Sequence, residues 1–254
     1  MNKDTEKNFS ASGQFLSFDF IAENYFEKID ELSKNVGFSA SYFAEYKVLD
    51  LKTEHVENGL HNKEDLKILN YGCGVGLSDE HLRNHFPNAK IFCCDISPKS
   101  LEIAQKNGAN LSDVFYSVCD GLTVPFDEEF DIIFISNVMR HIPRDKHRHT
   151  LDFLKNFLSD CGFMMIYEFN PFNPVSLYHY LIEDCNYDKI NVKIMFQNYT
   201  KKLLKNMGYK IKSLKYRFFV PSFLKKFIKL EKYLLKCPLG ACYYVIAHKD
   251  KTKK

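Results

Sequence analysis

Five short, largely apolar strand patterns alternate with helix-forming stretches: the end of "KEDLKILNYG", then "AKIFCCD", "DVFYSVCDG", "FDIIFISN" and "FMMIYEF". A strand apolar on both of its faces must be covered on both, which requires a parallel sheet flanked by helices. Helical patterns occur at about 41–52, 78–86, 145–158 and 197–206. Another begins at Pro98, with Ser97 as its cap and the proline in its first turn. Residues 18–34 read as an amphipathic helix with Phe18, Ile21, Tyr25, Ile29 and Leu32 on one face. Two further strands, 209–219 and "ACYYVIAHK", are joined only by a basic segment over 222–236, so one of them should run antiparallel. No linker interrupts the 254 residues. The expectation is one doubly wound, mostly parallel α/β domain over 1–254, with a helical cap over 1–60 and 222–236 inserted between the last two strands.

Polar residues gather where such a sheet binds ligands, beyond the carboxyl ends of the strands. Gly72, Gly74 and Gly76 follow the first strand; Asp95 ends the second, Asp120 the third, Asn137 the fourth and Glu168 the fifth. Glycine permits positive φ and lets a ligand approach without a Cβ in the way. A carboxylate 19 residues beyond Gly76 is placed to accept hydrogen bonds from two ribose hydroxyls. Dinucleotide enzymes use the same pairing of glycines and acid, so these features alone leave two readings open. Their third glycine would fall at position 77, which is Leu77. The spacing G-x-G-x-G suits a nucleoside without a pyrophosphate.

Composition excludes several classes. No apolar run approaches the ~20 residues of a membrane span, and the polar start carries no secretory signal, so a cytoplasmic location is expected. The eight cysteines form no CxxC pair and several sit in apolar runs, which points to reduced, packed thiols. His81 and His85 lie one helical turn apart but lack a convincing third ligand, so no metal is expected. His147 and His149, with Arg144, Lys146 and Arg148, read as a solvated basic patch.

Charge is distributed unevenly. Residues 201–254 carry 16 Lys/Arg against 2 Asp/Glu, whereas the first 200 carry 19 against 30. In "PSFLKKFIKLEKYLLKC" a helical period places Phe223, Phe227, Leu230 and Leu234 on one face among lysines. Packing that face onto the sheet is the commoner fate of such a helix, and weak peripheral contact with anionic lipid is the alternative. Beyond charge, nothing supports a nucleic-acid partner.

The motifs "ILNYGCGVG", "CCDIS", "VCDG" and "FDIIFISNVMRHI", in this order and spacing, resemble those of class I S-adenosylmethionine-dependent methyltransferases. The resemblance implies a seven-stranded, Rossmann-like sheet with an antiparallel final strand, and S-adenosylmethionine as cofactor. By motif, Gly72, Cys73, Gly74 and Gly76 would lie along its methionine and ribose portion. Asp95 would hold the ribose hydroxyls, Ile96 would face adenine, and Asp120, Gly121 and Leu122 would sit near the adenine amino group. Asn137 would lie beneath the sulfonium, and Tyr25 in the cap could cover the cofactor or join the core. Asn70 replaces the usual acid before the glycines, which weakens the expected contact with the cofactor's ammonium group.

"IYEFNPFNPVS" resembles the "EHNP-NP" signature of bacterial methyltransferases associated with surface-polysaccharide biosynthesis; "FAEYKV" and "KCPLGACYYVIAHK" resemble the same group. Phe169 replaces its histidine. The resemblance implies O-methylation of a small anionic or sugar-linked precursor of a surface glycan or capsule, including phosphate or phosphoramidate decorations. His141 is the candidate general base, with a helix-capping or packing role as the alternative. Glu168 and Asn170 are candidates for orienting the acceptor, or for shaping the loop. Lys47 is either solvated or in contact with an anionic substrate. Methylation of an unrelated metabolite and a cofactor-binding module without turnover are the competing functions.

Overall fold

The structure is a computed structural model that describes residues 37–121, 123–178, 193–220 and 222–252, together with Asp19, Ala22 and Lys34. Most of the expected helix over 18–34, including Tyr25, lies outside the described residues, as do Leu122, Cys185 and the side chains of residues 222–225, Phe223 among them.

The strands are β1 (Lys67–Tyr71), β2 (Lys90–Asp95), β3 (Val114–Val118), β4 (Phe130–Ser136), β5 (Leu158–Phe169), β6 (Tyr209–Arg217) and β7 (Cys242–Lys249). They form one seven-stranded sheet in the order β3-β2-β1-β4-β5-β7-β6. β1 to β5 pair in parallel, and β7 enters antiparallel between β5 and β6. The strand order reverses between β1 and β4, which opens a crevice at their carboxyl ends.

Alternate residues of each central strand serve opposite layers. Leu69, Tyr71, Ile133, Ile135, Met164 and Ile166 enter one core; Ile68, Ile132, Phe134, Met165 and Tyr167 enter the other. This two-sided burial is why the runs are apolar throughout. The helices are α1 (Ala40–Glu57), α2 (Asp79–His85), α3 (Pro98–Asn107), α4 (His147–Phe157) and α5 (Gln197–Asn206). Ser97 caps α3 by accepting from the Ser100 amide, and Pro98 stands in its first turn, as the sequence predicts.

Buried polar groups join α1 to the sheet. Asp50 accepts from the Tyr167 hydroxyl at 3.1 Å and pairs with Arg217 at 2.9 Å. Glu54 accepts from Tyr244 at 3.0 Å and pairs with Lys215 at 2.8 Å. Buried charges persist only when paired in this way.

The fifth strand and the basic segment depart from the sequence prediction. β5 begins at Leu158, five residues before the expected "FMMIYEF", because Leu158 already pairs with Phe130 before the register shifts to Ile132–Phe163. Gly162 makes this possible: a Cβ there would lie 2.7 Å from the Asp131 carbonyl oxygen. The basic segment is a 3₁₀ helix over Ser222–Tyr233 instead of an α-helix.

Candidate cofactor and acceptor cleft

The three loop glycines are required for three different reasons. All have positive φ: +74° at Gly72, +57° at Gly74 and +82° at Gly76. A Cβ on Gly72 would lie 2.5 Å from Val138, so this residue lets the β1 loop close against the end of β4. A Cβ on Gly76 would meet Asp79 at 2.8 Å and Ala104 of α3 at 3.0 Å. At Gly74 nothing among the described residues lies within 4 Å of such a Cβ. Its missing side chain therefore leaves open space, as a ligand cradle needs.

Asp95 faces this space. One carboxylate oxygen accepts from the Gly74 amide at 2.8 Å and the other from the Ser97 amide at 3.0 Å. Burial raises its pKa, and these two amides oppose that shift. The Ile96 amide bonds to it as well; a carboxylate has about four lone-pair sites, so acceptor capacity remains for a ligand hydroxyl. Asp19 reaches the same edge from the N-terminal stretch, accepting from the Ser97 hydroxyl and the Lys99 amide. No local signal in the sequence marks Asp19, because its partners lie almost eighty residues away.

The remaining strand ends complete the crevice. Ile96 is half-buried, and its side chain would lie 2.9 Å from a Cβ on Gly121, whose φ is +75°. The Tyr71 hydroxyl donates to the Gly121 carbonyl at 2.8 Å, tying β1 to the loop after β3. Asp120 is exposed and closes a turn by accepting from the amide and hydroxyl of Thr123. Asn137 takes φ +60°, a left-handed conformation that asparagine tolerates. Its buried Oδ1 accepts no hydrogen bond in the structure. The open position at Gly74, the carboxylate of Asp95 and this orphaned oxygen together fit a polar nucleoside-type cofactor.

On the acceptor side, the 3₁₀ turn Met139–His141 follows β4 and holds His141 half-buried. Burial, and then Arg140, press the His141 pKa well below the ordinary imidazole range, so the ring is neutral near pH 7. Arg140 and Glu168 are fully buried, 3.6 Å apart, and the guanidinium lies 4.7 Å above the Phe169 ring. Phe169 thus gives Arg140 an aromatic face where the resembled signature has histidine. Burial raises the Glu168 pKa to about 7, against the opposing pull of Arg140 and Lys47. Lys47 is buried, not solvated, and donates to the Ser136 hydroxyl at 3.1 Å.

The structure engages further candidate residues within the fold. His147 is buried, not part of a solvated patch: its ring contacts the carbonyls of Met139 and Ile142 at 2.9 Å each, fixing the turn that carries His141. Asn170, expected near an acceptor, is buried with its amide fully engaged. The nitrogen donates to the Pro238 and Gly240 carbonyls, and the oxygen accepts from Phe172 and Gln197. It locks the loop before β7. Asn70 donates to Asp79 at 2.9 Å inside the fold, so its nitrogen serves the interior beneath the glycine loop. Cys73 shares that interior, where its thiol lies near Cys93 and its pKa is raised well above the usual thiol range. His81 and His85 turn to α1, meeting Ser41 at 3.0 Å and Glu45 at 3.6 Å.

Residues 68–162 match the family described as "Methyltransferase domain". The sheet has the Rossmann-like fold of methyltransferases, and the glycine loop, Asp95 and Asn137 all fall within the residues matched to that domain. Among curated relatives, the chain is 32% identical over 117 residues to tRNA N(3)-methylcytidine methyltransferase trm141 of Schizosaccharomyces pombe, covering 44% of this chain and 47% of that protein. It is 32% identical over 73 residues to malonyl-[acyl-carrier protein] O-methyltransferase 1 of Ilyobacter polytropus, covering 29% and 27%. The chain therefore spans less than half the length of either relative. The crystal structure of the plantazolicin methyltransferase BamL, in complex with a triazolic desmethylPZN analog and SAH, superposes with a TM-score of 0.62 at 15% identity, covering 98% of this chain and all of that one. At that identity the likeness is one of fold.

Proposed function

We propose that this chain transfers a methyl group from S-adenosylmethionine to an oxygen of a small anionic or sugar-linked acceptor used in surface-glycan or capsule assembly, including phosphate- and phosphoramidate-bearing precursors. The observation that carries the reading is the open space at Gly74, faced by Asp95 at the point where strand order reverses. The "EFNP-NP" resemblance supports the acceptor class. Lys47 and Arg140, buried near Glu168, supply the positive field an anionic acceptor requires.

The cofactor supplies an activated methyl group on a sulfonium, which leaves as a neutral thioether. An acceptor hydroxyl must lose its proton to be methylated, and His141, with its neutral ring, would take that proton. The imidazolium so formed lies beside Arg140, whose repulsion favours release of the proton to solvent. Glu168 holds Arg140 over Phe169 and tempers that repulsion.

A nucleic-acid acceptor is the second reading, favoured by the name of the fission-yeast relative and by the 16 Lys/Arg of residues 201–254. A screen with labelled S-adenosylmethionine against nucleotide-linked sugars, phosphorylated precursors and tRNA separates the two. Label in tRNA alone removes the glycan assignment. With the true acceptor, His141→Ala is expected to keep S-adenosylhomocysteine affinity and lose roughly 10²–10⁴-fold in turnover, the usual worth of a general base. Unchanged turnover removes His141 from that role.

A further inference from the structure

The basic segment repeats every three residues, and the 3₁₀ helix turns that repeat into three stripes. With 3.0 residues per turn, side chains three apart lie directly above one another. Phe227, Leu230 and Tyr233 form one stripe, all exposed, with Leu230 at 51% and Tyr233 at 74%. Lys226, Lys229 and Lys232 form the second, also exposed. Ile228 and Glu231 form the inward third. Glu231, the segment's one acid, is buried. It accepts from the amides of Phe219 and Val220 and from the Tyr46 hydroxyl, with Arg217 at 3.9 Å. The outward face is left cationic and apolar, with no negative charge of its own.

Packing of this face onto the sheet, the commoner fate anticipated from sequence, does not occur. The aromatic rings carry lysines instead: the ammonium of Lys226 lies 5.1 Å from the Phe227 ring and that of Lys232 lies 4.9 Å from the Tyr233 ring. Further apolar side chains are exposed after the helix. Asn173 donates to the Leu239 carbonyl at 2.8 Å and Ser176 to that of Ala241, tying the loop after β5 to the loop before β7. This brings Phe172 and Val175 beside Leu239, which is 63% exposed. Phe169 of β5 and Arg217 of β6 both pair with Cys242, so this surface and the cleft share one edge of the sheet.

We propose that this edge docks on an anionic lipid bilayer, with the Phe227–Leu230–Tyr233 stripe in the headgroup region and the flanking lysines on lipid phosphates. Interleaved lysine, leucine and aromatic side chains satisfy both requirements of interfacial binding, apolar burial and charge attraction. A sugar–phosphate backbone would satisfy the lysines but offers nothing to Leu230, Leu239 or Val175. Docking would turn the cleft's edge toward the membrane.

The test is co-sedimentation of the full chain with vesicles of phosphatidylcholine alone or mixed with phosphatidylglycerol. Binding is expected only to the mixed vesicles, weakening as salt rises. Lys229→Glu and Lys232→Glu should each reduce it by about fivefold or more, the worth of one basic residue near an anionic surface. Leu230→Ser with Tyr233→Ser, which leaves charge unchanged, should reduce it about tenfold or more. Thermal unfolding midpoints check that the variants fold. No binding at low salt overturns the proposal. So does a Leu230→Ser/Tyr233→Ser variant that binds like the wild type, because charge alone would then account for the attraction. Neither result bears on methyl transfer, so this proposal and the proposed activity fail separately.

Discussion

The two ends of the crevice handle polarity differently. At the end proposed for the cofactor, from β3 to β4, polar groups are held ready: among the described residues Gly74 faces open space, Asp95 has accepting capacity left, and the buried oxygen of Asn137 accepts no bond. At the far end, beyond β5, they are closed on one another, with Asn170 engaged on all sides and Asp50 held by both Tyr167 and Arg217. The first end is built to take a ligand and the second to hold two loops in place. Polar residues at a strand end thus signal function only when some of their bonding capacity is left over.

Substitutions sharpen this contrast. The largest effect is expected at the cofactor end: Asp95→Ala should weaken S-adenosylhomocysteine binding about a thousandfold by calorimetry, since charge-assisted hydrogen bonds are each worth roughly 1.5–3 kcal/mol. Near-normal affinity would break the assignment of Asp95. Next is Glu168, whose carboxyl rises from 4.5 to about 7 on folding. The folded state then binds more protons than the unfolded state between those values, so stability is fullest below pH 4.5 and falls as pH rises toward 7. The fall amounts to about 3 kcal/mol at 1.36 kcal/mol per unit. Urea unfolding at about pH 5 and about pH 8 should show that loss in the wild type and lack it in Glu168→Gln, and equal slopes would remove the assignment.

Asn170→Ala should cost about 2 kcal/mol of stability, by leaving the Pro238 and Gly240 carbonyls without their donor, while S-adenosylhomocysteine affinity stays within about twofold. A large loss of affinity would place Asn170 with the cofactor end after all. The smallest effect on stability is expected for Gly74→Ala, about 1 kcal/mol for left-handed backbone without a clash. Its affinity should nevertheless fall, because the new methyl group enters the cradle. Calorimetry beside thermal unfolding reads both quantities, and an unchanged affinity would mean that the open space is not the cofactor's.

The sheet was legible because burial on both faces leaves no position of a central strand free to be polar. The glycine loop was legible for a related reason, since backbone conformation is written at the residue that adopts it. What the sequence hid depends on distant partners or on small differences of period. Arg140 stands out only as a charge within "NVMRHI", and its pairing with Glu168 spans 28 residues. His147 and Asp19 resemble surface residues until the fold delivers their partners. In the basic segment, periods of 3.6 and 3.0 both collect Phe227 and Leu230, but only the latter adds Tyr233. The tight helix is held by Glu231, whose contacts with Tyr46 and the 219–220 backbone cannot be read from its immediate neighbours.

The placement of β7 also sets a timetable for synthesis. Among the described residues β6 pairs with β7 alone, and β7 follows it in sequence. Until residues 242–249 leave the ribosome, β6 has no strand to join and β5 presents an open, mostly apolar edge. The five parallel strands and the glycine loop can assemble earlier, so the cofactor end can form while the rest is still being made. Pairing of β7 covers the β5 edge, joins β6 to the sheet and sets Ala241 against Asn170 and Ser176. A nascent chain would thus hold a formed glycine loop before it had the edge proposed to meet the membrane.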